Sequence, residues 1–562
     1  MCFTETSLGW RHHTGMSVPT CLPSTPAPAR WLSALLAVSL AILPGSWAGA
    51  QPVGLPSLGD VQGMSIAAER RLGDRIARDI YRDPDYLDDP VLSDYLQLIW
   101  QPLLGAARTR GEVPPELAER LAWELMISRD RRVNAFALPG GYLGVNLGLI
   151  AVTDTTGELA SVMAHELSHV SQRHIARMLT RQDKMAPWML GALILGALAA
   201  RANADVANAA IVGSQAVAAQ TQLNFSRDME READRVGFGV MTGAGFDGLA
   251  FVTMFDKLQQ ASRLNDDGGF PYLRSHPLNS ERIADMRARL PMATTPVSPG
   301  AAQQGPLRES AAPGSTGGLV LELPKTPDSA AQMSPALHPL MAARAKVLAE
   351  KGTDRMGAWL QNGRGPEASP GDRYAAAWSA QRLGQPALAL ELAQTLRKQV
   401  TPEVGWVVDA LLLELMLSPS RGASAGAAGS EPYKAMRDQA LASGSRALLL
   451  LGAQAAIATR EPQLAESRLQ SWVVVHPRDA LAWETLARVY HAQGQTLRAI
   501  RAEAESRVAH LDYAGALERY RGAQAQPVAV RNADPMTMAI VDSRRRDVER
   551  LLREFEKEEP GS

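Results

Sequence analysis

The chain of 562 residues is too long for one ordinary hydrophobic core, so we expect two or three domains. A hydrophobic content of 46% and a charged content of 21% are typical of a globular protein. The formal net charge of −1 argues against nucleic acid as a partner, and there is no acidic tail.

Residues 1–50 have the pattern of a signal peptide. An apolar run at 31–43 follows Arg30, and an A-x-A cleavage pattern ends at Ala50. The thirteen residues of the run are too few to span a bilayer, whereas the apolar part of a signal peptide needs no more. An uncleaved anchor is the alternative, and Met16 is an alternative start because the stretch before the run is long.

Both cysteines, Cys2 and Cys21, precede the predicted cleavage point, so the mature chain would contain none. Its stability would then come from the size of its core and not from disulfides. No cysteine follows the apolar run at a lipidation position, which argues against a lipoprotein. We therefore expect an exported, soluble protein.

Residues 51–290 are predicted to be mostly helical, with one clear interruption. The stretch NAFALPGGYLGVNLGLI at 134–150 places Pro-Gly-Gly between two runs compatible with β-strands, which indicates a β-hairpin. A helix is then predicted to begin near Thr155 and to continue through the next motif.

That motif is AHELSH, in which His165 and His169 are four residues apart. Residues at this spacing differ by about 40° around a helix, so both imidazoles can occupy adjacent corners of a tetrahedral zinc site. Glu166 is turned by about 100°, where it can reach the metal's water as general base. This is the H-E-x-x-H arrangement, and its apolar neighbours make an ordinary amphipathic helix the weaker interpretation.

The residues after the motif exclude one class of zinc protease. A metzincin would have glycine and histidine where this chain has Gln172 and Ile175. On a continuous helix His174 would lie about 180° from His165, so we interpret it as a surface or structural histidine.

A third ligand is predicted in NFSRDMEREADRVGFGV at 224–240, where Glu230 and Asp234 are four apart and precede an apolar helical run. We expect Glu230 to bind the metal and Asp234 to accept the free N–H of a ligating histidine. Glu232 is turned by about 200° and should not reach the metal. The alternative is a solvated, charged start of a helix.

Two segments flank this region. The run WMLGALILGALAA at 188–200 is too short to span a bilayer, so a buried or interfacial helix is expected, and contact of 188–215 with a membrane surface stays open. Residues 291–337 are rich in Pro, Gly, Ala and Ser and are predicted to be a linker. A loop of the same kind follows at 418–432.

Residues 338–562 are predicted to be an α-helical domain of tetratricopeptide-like repeats. Ala465 and Ala499 occupy the same position of successive 34-residue units, with Trp483, Leu486 and Tyr490 at the expected places between them. Other units are degenerate, so generic helical hairpins remain an alternative.

Three segments resemble the HtpX-type and CAAX prenyl endopeptidase family of zinc metalloproteases: MAHELSHVSQRHIAR, the Glu230–Asp234 helix and NAFALPGGYLGV. The segment at 55–96 is similar to the N-terminal part of the family's exported, repeat-bearing branch, the β-barrel assembly-enhancing proteases. The resemblance is specific over 51–290, weaker over 338–555 and absent from the linker.

The resemblance implies a mostly α fold in which a zincin-type, gluzincin-like protease domain with a small β-hairpin or sheet (51–290) precedes the repeats. It implies one Zn²⁺ per chain, bound by His165, His169 and Glu230, with Glu166 as catalytic base. It also implies a periplasmic enzyme that acts on unfolded or misassembled outer-membrane β-barrel proteins and cooperates with the β-barrel assembly machinery.

Two further expectations concern regulation and substrate binding, and the resemblance implies the first of them. His276 would act as a regulatory fourth ligand that displaces the catalytic water, although a histidine that merely precedes a proline turn is the alternative. The predicted hairpin, with Asn134, Phe136, Gly140 and Gly141, would offer an edge strand to an extended substrate. A different class of function is a chaperone-like repeat scaffold in which the protease is mostly latent.

Overall fold

The computed structural model describes residues 64–181, 226–264, 269–290, 333–418 and 430–556. The predicted signal peptide, the apolar segment at 188–215 and nearly all of the predicted linker lie outside the described residues.

Within the described ranges, no helix combines the length and apolar character that crossing a bilayer demands.

The first part of the chain is a set of helices around a small sheet. Its helices are α1 (Ile66–Tyr81), α2 (Pro90–Thr109), α3 (Pro115–Arg120), α4 (Leu147–Val152), α5 (Thr156–Ser171), α6 (His174–Arg181), α7 (Arg227–Gly243), α8 (Leu249–Leu264), α9 (Tyr272–Ser275) and α10 (Ser280–Ala288). Its strands are β1 (Tyr86–Leu87), β2 (Glu124–Ser128), β3 (Ala135–Leu138) and β4 (Tyr142–Asn146). The mostly helical fold with a small sheet, expected from the sequence, is confirmed.

The sheet has the strand order β1-β2-β4-β3, so β3 is an edge strand. Strands β3 and β4 form the predicted antiparallel hairpin, and β2 joins β4 in parallel. The hairpin is shorter than predicted, because Leu147 already begins α4. Gly140 and Gly141 supply positive φ angles in the turn, and a Cβ on Gly140 would lie 3.1 Å from the backbone of Arg70 in α1.

Helices α5 and α7 pack side by side and carry the candidate site. Thr155 caps α5 by accepting a hydrogen bond from the backbone N–H of Glu158, which fixes the predicted start of this helix. Ser226 caps α7 in the same way. The two helices approach closely at Gly237, where a Cβ would lie 3.1 Å from the backbone of Ala164 and His165.

The second part of the chain is helical throughout its described residues. Its helices are α11 (Leu337–Ala349), α12 (Thr353–Asn362), α13 (Pro370–Arg382), α14 (Pro386–Gln399), α15 (Pro402–Leu417), α16 (Glu431–Ala442), α17 (Arg446–Ala458), α18 (Gln463–Val475), α19 (Ala480–Ala492), α20 (Thr496–Ala509), α21 (Tyr513–Gln524), α22 (Val528–Ala533) and α23 (Pro535–Glu556). Ala465 and Ala499 are buried between successive helices, where their small side chains allow close crossing, and the larger Leu486 is buried in the same cluster.

These helices pack directly on the first part of the chain. Buried Arg344 of α11 forms ion pairs with Asp89, the N-cap residue of α2, and with Glu414 of α15. Arg446 of α17 pairs with Asp88 at 2.9 Å, and Arg478 contacts the Tyr142 hydroxyl at 3.2 Å. The contact between the two parts is therefore held by charged groups as well as by a shared apolar core.

Candidate metal centre

Helix α5 presents two buried imidazoles to one point. His165 and His169 are each 1% exposed, and their Nε2 atoms lie 3.0 Å apart. The spacing of one helical turn therefore does what the sequence predicts: both rings face the same side.

Glu230 reaches the same point from α7. One of its carboxylate oxygens lies 3.5 Å from His165 Nε2, and the other lies 3.5 Å from His169 Nε2. Burial alone would raise the pKa of Glu230, but the neighbouring imidazoles of His276 and His165 lower it well below its usual range. The close approach of α5 and α7 at Gly237 is what brings this carboxylate into reach.

His276 completes the group from the end of α9. Its Nδ1 lies 3.0 Å from Glu230 Oε1 and 3.3 Å from His165 Nε2. The ring stacks on Tyr272 with centroids 4.6 Å apart, which fixes its orientation. The predicted ligands and His276 thus lie together, with one donor atom from each within 4.8 Å of all the others.

The donor set fits a divalent metal ion. Zinc bound tetrahedrally at about 2.0–2.1 Å would hold its ligand atoms about 3.3–3.4 Å apart, and five distances between the nitrogen and oxygen atoms of these side chains run from 3.0 to 3.5 Å. Imidazole nitrogen and carboxylate oxygen are both donors that zinc accepts. The four side chains are buried and their lone pairs converge on one point, so a bound cation would stabilise them.

Asp234 lies behind His165, where the sequence places it. Its carboxylate is 2.9 Å from His165 Nδ1, so this nitrogen donates to it and the Nε2 lone pair faces the ligand group. Burial would raise the pKa of Asp234, but hydrogen bonds from Arg282 and His165 lower it.

Arg282 is a residue of the site that the sequence reasoning missed. It binds Asp234 through two nitrogens at 2.6 and 2.7 Å, and its Nη1 lies 2.8 Å from Glu230 Oε2. Asn279 caps α10 and so sets the position of this guanidinium. The only signal in the sequence is its place six residues after His276, which periodicity does not connect to α7.

The predicted base, Glu166, is fully buried beside the ligand group. Its Oε2 accepts a hydrogen bond from the backbone N–H of Ala137 at 2.9 Å, and its Oε1 lies 3.3 Å from His276 Nε2. Since Ala137 is in the middle of edge strand β3, the base faces the strand to which an extended peptide would add.

The four residues predicted for the substrate edge take different places. Asn134 is buried just before β3, and its carbonyl accepts the N–H of Asn146. Phe136 is half-buried on β3, with its ring where a Cβ of Gly144 would be. Gly140 and Gly141 lie in the buried turn, so the structure does not bring them to the free edge of β3.

Of the two interpretations of His174, a surface or a structural histidine, the surface one is wrong. Its ring is fully buried, and its Nδ1 lies 2.8 Å from His169 Nδ1. The reason is that α5 ends at Ser171, and Arg173 takes a positive φ of 52° that turns the chain before α6 begins. Glu232 is outside the ligand group, as expected, but it contacts His174 Nε2 at 3.1 Å.

Comparison with known proteins identifies the class. Residues 110–290 match peptidase family M48, and the buried His/Glu group lies within this span, so this part of the chain is a metallopeptidase domain.

Known relatives confirm that the chain is similar to the β-barrel assembly-enhancing proteases. It is 27% identical over 509 residues to a β-barrel assembly-enhancing protease of Yersinia pestis, covering 90% of this chain and 93% of that protein. It is 31% identical over 241 residues to the protein of the same name from Escherichia coli, covering 42% of this chain. The matched region spans about half of the E. coli protein, 47%, and 48% of a Vibrio cholerae relative that is 34% identical over 240 residues.

Proposed function

We propose that this chain is a zinc-dependent endopeptidase. One Zn²⁺ would be bound by His165, His169 and Glu230, and Asp234 would hold His165 in the tautomer that exposes its Nε2 lone pair. The observation that carries the proposal is the burial of these donor atoms within 4.8 Å of one another, next to Glu166.

In the proposed reaction the chain's own residues position a peptide and move one proton. Zinc, when bound, polarises the scissile carbonyl and lowers the pKa of water towards about 7. Glu166 takes the proton of the attacking water and passes it to the leaving amine. The N–H of Ala137, 2.9 Å from the Glu166 carboxylate, holds the base beside edge strand β3, where the peptide main chain adds by hydrogen bonds.

We propose further that His276 keeps this enzyme latent as a fourth ligand. Two contacts support this role: its Nδ1 is 3.3 Å from His165 Nε2, and its Nε2 is 3.3 Å from Glu166 Oε1. In this position the imidazole occupies the space that water and the scissile carbonyl need. Activation then requires movement of the segment from Tyr272 to His276, which a partner can drive.

The biological role we propose is quality control and assembly of outer-membrane proteins in the periplasm. The names of the Yersinia and Escherichia relatives support it, together with the signal-peptide pattern of residues 1–50. The substrates would be unfolded or misassembled β-barrel proteins, because addition to an edge strand selects disordered chains more than sequence.

The helical region at 338–562 would be a tetratricopeptide-like domain that binds clients or the β-barrel assembly machinery. The burial of Ala465 and Ala499 at equivalent places of a 34-residue period supports this assignment. Its division from the protease domain at 51–290 by a linker at 291–337 is part of the proposal.

A second candidate is a chaperone-like scaffold whose protease is mostly latent. The position of His276 inside the ligand group favours this candidate. If His276 blocks the catalytic site, the protein would act mainly by binding other proteins through its repeats.

One variant separates the two candidates. Glu166→Gln keeps the shape of the base and leaves the zinc ligands intact, so the purified variant should bind one zinc per chain, as the wild type does, by elemental analysis. Cleavage of casein should fall by at least about 10²-fold. Full rescue of a deletion strain by this variant would favour the scaffold, and wild-type cleavage by it would remove Glu166 from the mechanism. If the purified wild-type protein does not contain one zinc per chain, the proposal that zinc is bound at this site is wrong.

A further inference from the structure

The two histidines of α5 are supported in different ways on the side that faces away from the ligand group. His165 Nδ1 lies 2.9 Å from a carboxylate, that of Asp234. His169 Nδ1 lies 2.8 Å from a second imidazole, that of His174. The His169 and His174 rings meet edge to face, with centroids 4.8 Å apart.

A carboxylate stands at the far side of His174. Its Nε2 lies 3.1 Å from Glu232 Oε2, and Arg177 binds the same oxygen at 2.9 Å. These contacts form a hydrogen-bonded series, called the chain of hydrogen bonds below, that runs from Arg177 through Glu232 and His174 to His169.

The backbone conformation at Arg173 places His174 in this chain of hydrogen bonds. Arg173 has a positive φ of 52°, a conformation that costs a non-glycine residue about 1 kcal/mol or more. Its side chain is anchored in return by the buried carboxylate of Glu69 at 2.8 Å and by the carbonyl of Met64. Without this turn, helix α5 would continue and His174 would point away from His169.

The hydrogen-bond partners determine which ring nitrogen of His174 and of His169 carries a proton. A carboxylate only accepts, so His174 donates to Glu232 from Nε2 and keeps its Nδ1 as an acceptor. That acceptor takes the Nδ1–H of His169, and the lone pair of His169 Nε2 is then left to face the ligand group.

We propose that His174 and Glu232 are positioning residues for the metal ligand His169, doing through two groups what Asp234 does for His165 directly. The inference rests on the proposed metal site. Partners of this kind typically contribute about 10–100-fold to metal affinity.

The test is zinc affinity, measured on the full mature chain by competition with a chromophoric chelator. His174→Leu fills much of the space of the ring but offers no acceptor, so zinc should bind about 10–100-fold more weakly. His174→Asn places an amide oxygen near the position of Nδ1, so it should recover most of the affinity although it is smaller.

The order of these two variants distinguishes positioning from packing. If His174 only fills space, leucine should equal or exceed asparagine. Equal weakening by both variants, or wild-type affinity in both, would overturn the inference.

Two further variants complete the design. Glu232→Ala changes a partly exposed residue, so it should not impair folding, and it should also weaken zinc binding. Wild-type zinc affinity in this variant would show that Glu232 does not support His169 through His174. His491→Leu is the matched control, because His491 is exposed and paired with Glu503 in α20, and it should bind zinc as the wild type does. Wild-type protein that binds no zinc would refute the metal site itself, whereas tight wild-type binding with an unaffected His174→Leu would refute this inference alone.

Discussion

Gly237→Ala is expected to weaken metal binding by separating α5 from α7. An added Cβ would lie 3.1 Å from the carbonyl carbon and oxygen of Ala164 and from the Cα of His165. Carbon atoms in contact prefer about 3.5–4.0 Å, so the helices must move apart by a few tenths of an ångström or more. The neighbour is backbone next to a ligand residue, and no flexible side chain can yield in its place.

The cost can be worked out in two parts. Overpacking of a core typically costs about 1–3 kcal/mol, whereas replacing glycine by alanine within a helix returns about 1 kcal/mol. Stability should therefore fall by about 0–2 kcal/mol. Metal affinity should suffer more, because ligand geometry tolerates only about 0.5 Å, and we expect a loss of about tenfold.

The assays are chelator competition for zinc and urea unfolding of the same samples. The matched control is Gly243→Ala on the same helix, where a Cβ would lie 3.5 Å from Arg110 Cδ and 3.6 Å from Ala106 Cβ, an ordinary contact. This variant should leave zinc affinity unchanged. Equal zinc affinity in Gly237→Ala and the wild type would refute the claim that close helix packing sets the site.

Two further predictions concern the latch and the contact between the two parts of the chain. His276→Ala should raise cleavage of casein about tenfold or more, because an open form makes up about 10% or less of a latched enzyme; unchanged cleavage of this loosely folded substrate would remove His276 from the proposed regulation. Arg344→Met should lower the free energy of unfolding by about 3–5 kcal/mol, because it leaves the carboxylates of Asp89 and Glu414 buried without their cation. In urea unfolding, Arg488→Met at an exposed ion pair should cost less than about 1 kcal/mol, and equal losses in the two variants would contradict the argument.

The parts of the site that lie on continuous helices are those that the sequence predicts well. His165 and His169, and likewise Glu230 and Asp234, are each four residues apart, and helical geometry alone gives them a common direction. The sequence does not encode in any local pattern that α5 ends at Ser171.

His174 shows why the rest could not be predicted. Its direction depends on a left-handed Arg173, which is not one of the residues that favour this conformation, and the turn is held by Glu69 more than a hundred residues earlier. Arg282 is similar, because its partners Asp234 and Glu230 lie on a helix far away in the sequence. Such contacts are set by tertiary packing, and no periodicity reports them.

The charges of the site give a separate argument for a bound cation. Glu166, Glu230 and Asp234 are carboxylates with 0–1% exposure, and Arg282 is the guanidinium that contacts two of them. Of these carboxylates, Glu230 and Asp234 have lowered pKa values, and Arg282 offsets only one of their two negative charges, so buried negative charge is left that a bound cation balances.

The pKa of His165 points in the same direction. Burial alone would lower this pKa, but hydrogen bonds to Asp234 and Glu230 raise it to about 9. When no metal is bound, the buried His165 ring therefore carries a second proton, and with it a positive charge, at neutral pH. That proton restores part of the missing positive charge, and zinc must displace it to use the His165 Nε2 lone pair.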